Sequence, residues 1–213
     1  MKTSDKGILE IAAHEGIVPA PYRDSVGTWT YGIGHTAAAG SPDPQEMNGA
    51  MPENVDAALA RCIRIFRDDL KQYEERVSDA ISVPLAQHEF DALVSFDFNT
   101  CGIYRAELTK ALNRGHPDAA RHFMGWLKPP EIRKRRMAEM RLFETGQYGT
   151  SGELIAVWKT DNAGRLDGIL DRVTGTELLA IIRHSNVRDE PAHSGWLARI
   201  IKMIFGMIER WKK

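Results

Sequence analysis

Glu15, Asp24 and Thr30 lie close together near the amino end, with eight residues between the two acids and five between Asp24 and Thr30. Two carboxylates and a hydroxyl at this range can divide the labour of acid–base chemistry. One carboxylic acid gives a proton to a leaving oxygen, and a carboxylate aided by a hydroxyl activates a water. Cleavage of a glycosidic bond asks for these two roles. Position favours Glu15 as the proton donor, because it closes a predicted helix and the negative end of the helix dipole favours a protonated acid. Asp24 stands between Arg23 and Ser25 on a predicted exposed turn, where it stays ionised and serves the water side, and Thr30 can hold that water. His14-Glu15 superficially opens a helical zinc-protease signature, but the position for the second histidine is Val18, so neither a metal nor another cofactor is expected.

The elements that must carry these groups can be read from the pattern. Ile8, Leu9, Ile11 and Ala12 follow Ser4-Asp5 as a cap and precede Gly16 as a stop, which predicts a helix over 5–15. Tyr, Val, Thr, Trp and Ile then alternate with Gly27, Gly32 and Gly34, predicting a hairpin centred on Ser25-Val26-Gly27. After a loop rich in Gly and Pro, Leu59, Cys62, Ile63, Phe66, Leu70, Tyr73 and Val77 recur at steps of three and four. They predict an amphipathic helix beginning near Pro52, long enough to join two lobes. Further helices are predicted over 86–99, 105–114, 117–126 and 131–145. A second hairpin is predicted from Leu154–Lys159 and Leu166–Val173, and a short helix over Thr176–Arg183.

Glu15, Asp24 and Thr30, with Tyr31-Gly32-Ile33-Gly34-His35 after them, resemble the Glu/Asp/Thr signature of phage-type lysozymes, glycoside hydrolase family 24. The resemblance continues through Asp91-Ala92-Leu93-Val94-Ser95-Phe96, Phe98-Asn99, Phe123-Met124-Gly125-Trp126 and Arg135-Arg136-Met137-Ala138-Glu139 to Leu142-Phe143 and Thr145-Gly146. It covers about 5–148. It implies an α+β, mainly α, two-lobe fold: a small N-terminal β-hairpin lobe, a long connecting helix and a helical C-terminal lobe. The implied activity is a muramidase cutting peptidoglycan between N-acetylmuramic acid and N-acetylglucosamine with inversion. Glu15 would be the general acid, with Asp24 and Thr30 assisting the water. By the same resemblance Arg135 would reach Glu15 from the other lobe, His35 would brace the hairpin, and Gly34, Thr36, Phe98 and Asn99 would line the sugar groove. Two stretches depart from the family pattern: Lys128-Pro129-Pro130-Glu131-Ile132 replaces a longer glycine-containing loop, and Thr100-Cys101-Gly102 follows the Asn. Rival readings are a peptidoglycan-binding or scaffolding module with reduced hydrolysis, and a lytic transglycosylase. The three-residue signature speaks against both.

Composition narrows the rest. With 213 residues, 43% hydrophobic and 27% charged, the chain can bury one sizeable core, and it is expected to be a monomer. A net charge of −1 argues against a nucleic-acid partner. Charge is uneven, however: residues 1–60 hold three basic and eight acidic side chains, and 121–145 hold seven and three. Of the run Arg133-Lys134-Arg135-Arg136, only Arg135 is given a site role, and the other three are expected on a solvated helix face. Two cysteines, Cys62 and Cys101, are too few for a disulfide framework and read as packing residues, a mutual disulfide being the alternative.

The chain divides into a catalytic stretch, 1–148, an accessory hairpin and helix, 149–184, a polar linker, 185–195, and a cationic amphipathic helix, 196–213. The last holds five basic residues and one acidic, bracketed by Trp196 and Trp211, as in helices that lie on a membrane surface. No cleavable export signal is visible at the amino end, so synthesis in the cytoplasm and action at the cell wall are expected, with the tail at the inner membrane.

Overall fold

The computed structural model describes residues 1–149 and 154–185, and the predicted linker and cationic tail lie outside them. Helix α1, Asp5–Glu15, starts where the Ser4 hydroxyl accepts the Gly7 amide, and it ends at Gly16. Gly16 has φ +74°, a conformation that only glycine adopts without strain, and its N–H closes on the Ala12 carbonyl at 2.8 Å. The chain turns there into strands β1, Val18–Arg23, β2, Trp29–Gly32, and β3, His35–Thr36, paired antiparallel in that order. The turn 24–28 is built on Asp24, whose Oδ1 accepts the amides of Val26 at 3.0 Å and Thr28 at 2.8 Å. Two-residue β3 has too short a pattern to be read from sequence.

Helix α2, Val55–Ala80, is capped by the Asn54 side chain, and its 26 residues span about 39 Å. Leu59, Cys62, Ile63, Phe66, Leu70 and Val77 form its buried stripe. The helical lobe is built around α3, Gln87–Thr100, which is buried from Phe90 to Asp97 on all sides, as befits a helix surrounded by others. Around it stand α4, Glu107–Asn113, a 3-10 segment, Ala119–Gly125, and α5, Arg133–Thr145. The sequence predicts an α-helix over 117–126. The tighter winding follows the placement of Ala120, Phe123 and Trp126 at three-residue steps, the repeat of a 3-10 helix. Phe123 and Trp126 both pack edge-on against Phe96, at 5.5 and 5.4 Å.

The fold is the two-lobe α+β architecture: a hairpin lobe, a long helix and a helical lobe. The second hairpin pairs β4, Leu154–Thr160, with β5, Leu166–Thr174, and α6, Gly175–Ser185, follows. The hairpin is joined to β1 by backbone bonds, and α6 packs on α2 and α1. Ile155, Val157, Val173, Leu178 and Ile181 share one core with Ile8, Ile11 and Ile17 of the amino-terminal elements. Both cysteines are free: Cys62 is buried, whereas Cys101 is exposed at the left-handed residue that ends α3, so only the first is a packing residue. Among the described residues no helix is long and apolar enough to cross a membrane.

Candidate active site

Glu15 is the last residue of α1, with its side chain 28% exposed. From the helical lobe, the Arg135 guanidinium donates to its Oε1. Arg135 is itself fixed from below: its Nε donates to Glu139 Oε1 at 3.0 Å and its Nη2 to the Ser95 carbonyl at 3.2 Å. The Ser95 hydroxyl donates to the same Glu139 oxygen at 2.7 Å, and Arg136 Nη1 lies 2.7 Å from the other. Burial pushes the Glu139 carboxyl up, against the pull of Arg135, Arg136 and Ser95. The bond from Arg135 to Glu15 thus rests on a buried network spanning α3 and α5.

Arg136 corrects the sequence reading, which put it on a solvated face with Arg133 and Lys134. Those two are exposed, but Arg136 is fully buried, over the Phe96 ring. Positions 135, 136, 139 and 142 fall on one stripe of α5, and Leu142 and Glu139 mark that stripe as the inner face. The signal was therefore present: an acid three and four residues after two arginines, on the same face as a core leucine. His14, beside this network, is lowered to about 4, by burial first and then by Arg135 and Arg136.

Asp24 sits in the turn 24–28 described above. Thr30 is buried, and its hydroxyl donates to the Thr28 carbonyl at 3.2 Å, which leaves the oxygen's lone pairs to accept a hydrogen bond. Thr30 pairs with Tyr22 on β1 and with Thr36 on β3. The Tyr22 phenol is pushed up to about 12, by burial first and then by Glu15 and Asp24, so it neighbours both acids and keeps its proton across the working pH range. Sequence reasoning passed over Tyr22, two residues before Asp24 at the end of β1.

The remaining residues named from the sequence fall into three groups. A Cβ on Gly34 would lie 3.5 Å from Phe98, so this turn of the hairpin lobe meets the helical lobe there, and Phe98 is held edge-on by Phe66 and Tyr73 at 5.4 and 5.2 Å. Asn99 is exposed, its Oδ1 accepting from Arg136, and Thr36 faces a recess of about 340 Å³ shared with Arg23, Trp29 and Gln45. His35 is buried away from solvent. Its Nδ1 lies 2.9 Å from Asp69 Oδ2 on α2, and its Nε2 donates to the Pro42 carbonyl at 2.8 Å. Both ring nitrogens are taken up in tying the hairpin lobe and the loop 37–47 to the long helix.

A glutamate tied to the far lobe by an arginine, with an aspartate and a threonine on the adjoining hairpin, sits on a two-lobe, mainly helical scaffold of lysozyme-like architecture. The phage lysozyme family model matches residues 12–139. An endolysin of Acyrthosiphon pisum secondary endosymbiont phage 1 is 32% identical over 157 residues, covering 68% of this chain and 99% of its own. The endolysin of Salmonella phage P22 is 30% identical over 150 residues, covering 67% and 98%. Among solved structures, an endolysin from Escherichia coli O157:H7 phage FAHEc1 superposes with a TM-score of 0.61 at 26% identity, over 70% of this chain and 96% of that one. The chain belongs to the phage lysozyme family.

Proposed function

We propose that this protein hydrolyses the β-1,4 bond between N-acetylmuramic acid and N-acetylglucosamine in peptidoglycan, lysing the bacterial wall. Glu15 gives its proton to the glycosidic oxygen, and Arg135 steadies the carboxylate left behind. Asp24 takes one proton from the attacking water while the Thr30 hydroxyl accepts a hydrogen bond from its other O–H, so water is the nucleophile and the anomeric centre inverts. The glycan strand lies between the lobes, past Gly34, Thr36, Phe98 and Asn99. The observation that carries this reading is the reach of Arg135 from α5 to Glu15 at the end of α1, which ties the acid to the helical lobe.

Glu15→Gln tests it, assayed by clearing of outer-membrane-permeabilised cells. The amide has no proton to give, so turnover falls on the order of 10²–10⁴-fold with the fold retained. Wild-type clearing by that variant ends the reading. Product mass separates hydrolysis from transglycosylation, whose anhydro product is one water lighter. Action at the wall is part of the same proposal. So is contact of the cationic segment 196–213, outside the described residues, with anionic membrane: deleting 195–213 should abolish co-sedimentation with anionic vesicles, and unchanged sedimentation counts against it.

A further inference from the structure

The hairpin β4–β5 lies beyond residue 139, where the family match ends, and the solved relative described above has counterparts for only 70% of this chain. It grips the chain just before β1 and at the last residue of β1. At one end the Ile17 amide donates to the Ala156 carbonyl at 2.9 Å, and the Trp158 amide donates to the Ile17 carbonyl at 2.8 Å. The Trp158 indole closes over the preceding corner, since a Cβ on Gly16 would stand 2.7 Å from its Nε1. At the other end the Arg23 amide donates to the Gly164 carbonyl at 2.8 Å. Gly164 has φ +74°, and a Cβ there would meet the Trp29 ring at 2.6 Å, the ring on which the Arg23 guanidinium stacks at 4.5 Å.

Ile17 is two residues after Glu15, and Arg23 is immediately before Asp24. Each grip therefore adjoins one of the two acids. Between the grips, Pro19 and Pro21 carry no N–H, so of positions 17, 19, 21 and 23 only the gripped ones offer an amide donor. The β1–β2 register is also irregular between Val18 and Tyr22, so the ladder with β2 alone leaves this stretch of strand loosely set.

We propose that the β4–β5 hairpin is a clamp on β1 that sets the distance and orientation between Glu15 and Asp24, with Trp158 and Gly164 as its positioning residues. The proposal rests on the assignment of those two acids. Neither residue is given contact with the substrate; each acts through the backbone of β1.

The test uses the full chain, with kcat, KM, the pH profile and the melting temperature measured for Trp158→Ala, Gly164→Ala, Trp158→Phe and, as a control on the exposed face of β5, Leu166→Ala. A misplacement of about 1 Å costs on the order of 10²-fold in rate. Both alanine variants at the grips should lose at least about tenfold in kcat with KM nearly unchanged. Trp158→Phe, which keeps a ring over Gly16, should fall between, and Leu166→Ala should match the wild type. Folded Trp158→Ala and Gly164→Ala with wild-type kcat and pH profile, beside an inactive Glu15→Gln, overturn the clamp alone. An active Glu15→Gln overturns the site assignment instead. Should Trp158→Ala not fold, Trp158→Phe decides: reduced kcat near the wild-type melting temperature supports the clamp, and wild-type kcat with an unchanged profile refutes it.

Discussion

Glu139 is the acid on which two arginines converge, and removing its charge tests how the helical lobe holds Glu15. It is 2% exposed and Arg136 is 0% exposed, with 2.7 Å between Arg136 Nη1 and Glu139 Oε2. Arg135 Nε is 3.0 Å from the other oxygen. Glu139→Ala leaves a guanidinium sealed from water with its charge uncompensated, and breaking a buried pair in this way costs about 3–5 kcal/mol. At about 2–4 °C per kcal/mol for a chain of this size, the melting temperature should fall by about 6–20 °C, read by circular dichroism at pH 7. The pair Glu139→Leu with Arg136→Met should recover much of that loss, because a well-packed apolar pair of similar volume removes the unpaired charge. Ser95→Ala removes a single hydroxyl bond to the same carboxylate and should cost about 1 kcal/mol. A Glu139→Ala variant melting within about 2 °C of wild type would refute the account of Arg135 as a side chain anchored from below.

Asp24→Asn should keep the turn, since an amide oxygen can still accept from Val26 and Thr28, yet lose on the order of 10²-fold or more in kcat, measured on purified peptidoglycan. His14 is held neutral in the fold down to about pH 4, whereas an unfolded histidine takes up its proton near pH 6.5. As the unfolded state binds more protons between those values, stability should fall as pH drops from about 6.5 to 4. The ring is partly open to solvent, so the slope is modest, and denaturant titrations of His14→Gln should show it flattened. The buried Cys62 thiol is pushed up to about 12 by desolvation, while Cys101 is exposed. A disulfide reagent should titrate one thiol in the native chain and two after unfolding, and two fast thiols in the native state would contradict the packing of α2.

The long helix was legible because α2 carries its apolar stripe over 26 residues, enough repeats for the period to be unmistakable. The corner at Gly16 and the turn at Asp24 were legible for a different reason: both rest on local chemistry, a stop glycine and an acid that bonds its own turn. What escaped was long-range. Arg136 and Glu139 show their shared inner face in the spacing along α5, but the bond between Glu139 and Ser95 on α3 has no local sign. The 3-10 segment at Ala119–Gly125 escaped because three-residue and 3.6-residue repeats diverge little over two turns. Likewise the two hairpins could each be drawn from alternation, yet nothing local says that Ile17 bonds Ala156 and Trp158.

The common core of Ile155, Val157, Val173, Leu178 and Ile181 with Ile8, Ile11 and Ile17 bears on how such a protein can be recombined. A piece that hung from a lysozyme by a tether could be swapped, fused or shed without harm to its host. Here, cutting after the family-matched residues would strip an oily flank bare on the hydrolase itself, inviting aggregation. The stretch 154–185 therefore goes with the enzyme as one indivisible part, and chimaeras should be joined outside it.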